Sequence, residues 1–110
     1  MLISINEKLR TILSELRRYL AELYGERLVD VVLFGSQARG DAVEGSDIDV
    51  LIVLKGDVYP GLEIDRTGNF VAALSLDHDV LISTVFVSES DFAFSQMPLM
   101  LNVRREGVYV

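Results

Sequence analysis

Gly35 and Ser36, followed after ten intervening residues by Asp47 and Asp49, are the residues whose types and spacing point to chemistry. Asp47 and Asp49 open an alternating apolar run, Asp47 to Leu54, which predicts a strand. Strand residues two apart share a face, with alpha carbons about 6–7 Å apart. Two carboxylates at about 6 Å repel by about 2–3 kcal/mol at an effective dielectric constant of about 20. A divalent cation reverses the sign of that interaction. Mg²⁺ takes one or two carboxylates and completes its shell with water and substrate phosphates. The pair therefore predicts a metal site that a phosphorylated ligand completes.

Gly35 and Ser36 end the short apolar run Leu28 to Phe34, which predicts a first strand buried on both faces except at Asp30. A glycine at that point lets a ligand approach the backbone. Ser36 is expected to cap the following turn, leaving the amides of Ser36, Gln37 and Ala38 to hold phosphate. Arg39 either adds charge-assisted bonds to that phosphate or pairs with Asp41 or Glu44. Ser46 either caps the turn before the carboxylates or touches phosphate, and capping is the favoured reading. Taken singly, Ser36 is an ordinary helix cap and the aspartates are ordinary turn residues. Taken together, a glycine after one strand and two carboxylates opening the next make a nucleotide site.

The surrounding elements must bring these residues together. Ser4-Ile5-Asn6-Glu7 has the spacing of a capping box, and Leu9, Ile12, Leu13, Leu16, Leu20 and Leu23 form one helical face. These predict a helix over residues 5–24, ended by Gly25. Residues 37–46 read as loop, opened by one helical turn. No crossover helix separates the first two strands, so antiparallel pairing is expected. Leu62 to Leu76 predicts a helix, with Ile64, Val71 and Leu74 at helical spacing, and Val80 to Val87 predicts a third strand. Ser88 caps a short helix, and Pro98 opens a last one over Leu99 to Glu106 that Gly107 closes. The expected fold class is α+β: a small mixed or antiparallel sheet of three or more strands packed against helices.

The 110 residues fit one domain, 1–110. The chain has no cysteine, which excludes disulfides and thiol chemistry. Ten Lys and Arg stand against 17 Asp and Glu, a net charge of −7, which argues against a general grip on nucleic-acid backbone. No apolar stretch is long enough to cross a membrane as a helix, and the first residues do not form a secretory leader, so a cytoplasmic protein is expected. Phe92, Phe94, Met97, Leu99, Met100 and Leu101 are numerous for the end of a small domain; they are either core or a partner surface.

Residues 32–54, VLFGSQARGDAVEGSDIDVLIVL, resemble the nucleotidyltransferase fold of the DNA polymerase beta superfamily, and NVRREGV near the end resembles the closing segment of such domains. The short length resembles the minimal nucleotidyltransferases that serve as antitoxins to helical HEPN-domain toxins. The resemblance implies that Gly35 and Ser36 bind a nucleoside triphosphate, with ATP the expected substrate, and that Asp47 and Asp49 hold Mg²⁺. It further implies a third carboxylate on the next strand that helps activate the acceptor hydroxyl. Asp79 is the candidate and Asp77 the fallback, with the lone His78 between them read as an exposed turn residue. The expected activity is transfer of AMP to a hydroxyl of a HEPN-type partner. The alternative is a silent nucleotide- and metal-binding subunit that neutralises its partner by contact. Transfer to a small molecule or to a nucleic-acid end is the weakest reading, because such members carry further domains. Self-association into a homo-oligomer is compatible with the sequence.

Overall fold

The computed structural model describes residues 7–43 and 45–110. Helix α1 spans Glu7–Tyr24. The first two residues of the expected helix, and the capping box at Ser4, lie outside the described residues. Leu9, Ile12, Leu13, Leu16 and Leu20 are buried, as their spacing predicts. Leu23 instead is 38% exposed, and Tyr24 takes the last inward position. On a helix a step of four falls about 40° from Leu20, whereas a step of three falls about 60° away. Gly25 ends α1 in the left-handed region, φ 55°, and a single 3-10 turn follows.

Strand β1 (Leu28–Phe34) pairs antiparallel with β2 (Ile48–Leu54), as expected, with Val31 opposite Ile52 and Phe34 opposite Asp49. Between them lies the single helical turn α2 (Gly35–Arg39). Helix α3 runs over Pro60–His78, two residues further at each end than its expected span. Strand β3 (Ile82–Ser88) then pairs with β2 in parallel, with Asp49 beside Ser83. Parallel pairing follows from the crossover: α3 carries the chain back to the end of the sheet where β2 began. A two-residue strand β4 (Val108–Tyr109) pairs with β1, completing the order β3-β2-β1-β4. The result is an α+β fold with a mixed sheet.

The central strands are buried on both faces. Toward α1 and α3 point Val31, Leu33, Val50, Ile52, Ile82 and Phe86. The contact between those helices has an unexpected polar centre. Glu63 is 2% exposed and accepts a hydrogen bond from the Tyr24 hydroxyl at 2.6 Å, with the Arg66 guanidinium 3.3 Å away. Thr67 is also buried and donates to the Glu63 carbonyl at 2.9 Å. Ile64, expected inward, is exposed. Tyr19 stacks flat on Phe70 at 3.9 Å between centroids, joining the same two helices.

The other sheet face is covered by α4 (Glu89–Phe94) and α5 (Pro98–Glu106), with Met100 and Val103 against Val32, Leu51 and Val53. Ser88 caps α4 by accepting from the Asp91 N–H at 3.1 Å, and Gly107 closes α5 by donating to the Val103 carbonyl at 2.8 Å. Of the terminal apolar residues, Met100 is buried and Phe92 half-buried, while Phe94, Met97, Leu99 and Leu101 are exposed. None of the described helices is long and apolar enough to cross a membrane.

Candidate active site

The antiparallel ladder places Phe34 opposite Asp49, so the next residue, Gly35, turns beside the Asp49 side chain. Gly35 has φ 74°, and a Cβ built on it would stand 2.5 Å from Asp49 Oδ2. Only glycine satisfies both the left-handed backbone and the close approach. The ten-residue spacing now has a structural meaning. Arg39 ends α2 and Ile48 begins β2, so that Asp49 meets the glycine turn.

The N-cap of α2 is Phe34, with no side-chain hydrogen bond, so Ser36 lies inside the first turn and does not cap it. The first N–H groups of α2 have no acceptor within the helix. Gly40 and Asp41 both donate their N–H to the Ser36 carbonyl, at 3.0 and 3.2 Å, which closes the turn. Ser46 braces the return loop: its hydroxyl accepts from the Val43 N–H at 2.9 Å, and its carbonyl accepts from Gln37 Nε2 at 3.4 Å. Arg39 donates through Nε to Asp41 Oδ2 at 3.2 Å, and its Nη1 stands 3.6 Å from Glu106 Oε2 on α5.

Along β2, Ile48, Val50, Ile52 and Leu54 face α1 and α3, while Leu51 and Val53 face α4 and α5. Alternation puts Asp49 on the second of these faces. Burial raises the Asp49 carboxyl above the usual carboxylate range, the charge of Asp47 raises it further, and Arg39 draws it part of the way back. A bound cation would offset both the burial of the Asp49 charge and its repulsion from Asp47. Two carboxylates beside an open glycine turn fit one Mg²⁺ that also takes oxygens from a phosphorylated ligand.

Asp79 does not join them. It is the C-cap of α3, in the left-handed region at φ 52° and ψ 51°, with its N–H donating to the Leu76 carbonyl at 3.3 Å. Residues expected to begin β3 are spent instead on ending the helix, so the alternation that would have aimed Asp79 toward Asp49 does not reach it. Parallel pairing with β2 instead sets Ser83, four residues further on, in register with Asp49. Asp79 lines a cleft of about 570 Å³ with Lys8, Leu9, Gln37, Ser46 and Ile48, on the α1 side of the sheet. The fallback, Asp77, is exposed in the last turn of α3, and His78 Nε2 lies 3.7 Å from Glu15 on α1. Among the described residues no three Asp, Glu, His or Cys side chains converge on one ion position.

The residue that β3 does place beside Asp49 is Ser83. Sequence reasoning passed over it. The alternation of Ile82, Thr84 and Phe86 carries its parity, but which β2 residue it meets depends on the length of α3.

A strand, a glycine turn and a carboxylate pair at the start of the neighbouring strand are the parts of a nucleotidyltransferase domain. The profile of the family described as nucleotidyltransferase domain matches residues 13–94, and this chain belongs to that family. It is 32% identical over 99 residues to MJ1305 of Methanocaldococcus jannaschii, a candidate protein adenylyltransferase; the match covers 86% of this chain and 66% of that protein. The chain therefore spans just under two-thirds of that relative's length. Its fold is similar to a crystal structure of a candidate nucleotidyltransferase from Sulfolobus solfataricus, with a TM-score of 0.67 at 22% identity, covering 93% of this chain and 80% of that one. It is also similar to a chain in the crystal structure of a toxin–antitoxin with AMP-PNP, with a TM-score of 0.60 at 19% identity, covering 84% of this chain and 68% of that one.

Proposed function

We propose that this domain transfers AMP from ATP to a hydroxyl of a partner protein, a small helical toxin of the HEPN type, and so acts as an antitoxin in the cytoplasm. The observation that carries the reading is the Phe34–Asp49 register, which sets the Gly35 turn against Asp49, the second aspartate of the pair. The kinship with a candidate protein adenylyltransferase and the shared fold with a toxin–antitoxin chain support it. In this reading the backbone at Gly35 and Ser36 receives the triphosphate, and Asp47 and Asp49 hold Mg²⁺. The cation supplies charge neutralisation to the phosphates. Arg39 contributes positive charge at the rim, held by Asp41 and Glu106, and Ser46 keeps the return loop in place. The acceptor oxygen bonds to the α-phosphorus, the bond from that phosphorus to the bridging oxygen breaks, pyrophosphate leaves, and the hydroxyl proton passes to a base.

One observation favours a second reading. Among the described residues no third carboxylate joins Asp47 and Asp49; nucleotide binding then persists while transfer is weak, and the domain neutralises its partner by contact. ATP labelled at the α-phosphate separates the two. With Mg²⁺, the co-expressed partner should acquire label from the wild type. Asp47→Asn combined with Asp49→Asn should lower labelling by about 10²-fold or more. Bound ATP without labelling of any partner would leave the contact reading standing.

A further inference from the structure

We infer that the site takes a single divalent cation, the one that arrives with the nucleotide, because β3 sets Ser83, not an acid, in register with Asp49. This rests on the reading of Asp47 and Asp49 as metal ligands. Asp49 has two neighbours across the sheet, Phe34 on β1 and Ser83 on β3. Ile82 and Phe86 pack into the core toward α1 and α3, and Val85 and Val87 pack toward α4 and α5. Ser83 therefore shares a face with Asp49, and its side chain is exposed to solvent there. A serine hydroxyl adds no negative charge. The acids that precede β3 offer no substitute: Asp79 opens into the cleft on the opposite face, and Asp77 lies on α3. Among the described residues, the strands flanking Asp49 add no carboxylate to Asp47 and Asp49, whose charge Arg39 partly offsets. That charge suits one ion sharing its shell with phosphate oxygens and is too small to retain a second.

Mn²⁺ titration followed by electron paramagnetic resonance tests this, with and without AMP-PNP. The wild type should bind one Mn²⁺ per chain in the presence of the analogue and bind Mn²⁺ alone only weakly. Ser83→Asp should tighten binding of Mn²⁺ alone by about tenfold or more, since affinity follows the charge of the ligand set. It should also admit a second Mn²⁺ with the analogue. Ser83→Asn, of the same size without the charge, should keep the count at one, and Asp79→Asn should change neither measurement. Thermal melting adds a readout independent of turnover: Ser83→Asp should melt lower than wild type without metal and recover with Mn²⁺. Two ions in the wild type, or a Ser83→Asp protein that folds and binds metal as wild type does, would overturn the inference. A wild type that binds neither the analogue nor Mn²⁺ with it would overturn the nucleotide reading itself, and this inference with it.

Discussion

Gly35 shows how one atom's absence shapes the site. Its positive φ and its contact with Asp49 make separate demands, and any side chain breaks both. Gly35→Ala should lower stability and weaken Mg²⁺-dependent ATP binding more than Ser36→Ala, which removes a hydroxyl that caps nothing. Calorimetric titration and melting of the two variants check the order; equal, small losses would mean an ordinary turn. Asp30 is a second residue whose setting matters. Burial raises its carboxyl above the usual range and the charge of Glu89 adds to this, against the pull of Arg17. A raised value means the folded chain holds the proton more tightly than the unfolded one. The stabilising contribution is complete below the unfolded value, near about 3.9, and is lost as pH rises through the folded value. At neutral pH the ionised Asp30 therefore costs stability. Asp30→Asn should raise the melting temperature at pH 7, with the gain fading below about pH 4.

At the scale of elements, α1 and α3 are fastened through Tyr24, Glu63 and Arg66 as well as through apolar packing. A hydrogen bond to a charged group contributes about 1.5–3 kcal/mol. Tyr24→Phe should cost about that much in denaturant unfolding, because Glu63 keeps Arg66. Glu63→Ala should cost at least as much, because it leaves the Tyr24 hydroxyl without its acceptor; Arg66 is 45% exposed, so losing its ion pair adds little. Neither should change ATP affinity in the folded protein, because the carboxylate pair and glycine turn lie at the other end of β2, around Asp49. A large loss of ATP binding in Tyr24→Phe would show that this fastening also sets the site.

For the whole molecule, the sheet separates two tasks. One face is filled by α1 and α3 and stabilises the fold; the other carries Asp49 and is closed at its far end by α4 and α5. Because the carboxylates repel until a cation arrives, and the cation is under-liganded until phosphates arrive, metal and nucleotide should act together on stability. Mg²⁺ with ATP at about 100 times the dissociation constant should stabilise by about 2.7 kcal/mol. Mg²⁺ alone or ATP alone should give clearly smaller shifts in melting temperature. Additive, independent shifts would separate the metal from the nucleotide.

Much of this protein was legible without coordinates because it depends on neighbours in the chain. The apolar stripe of α1, the alternation of β2, the Ser88 cap and the Gly107 stop follow from helical and strand periods and from local hydrogen bonding. So did the glycine turn and carboxylate pair, since one short loop joins their strands and antiparallel pairing brings them face to face. What lay beyond that reach is whatever depends on a long connection. The length of α3 determines where β3 begins, and that start gives Ser83 the place beside Asp49 and leaves Asp79 at a helix end. A glutamate is ordinarily exposed, yet Glu63 is buried, with its partner, Tyr24, 39 residues away. Local periods set which face a side chain takes. Only the packed fold determines which residue waits across from it.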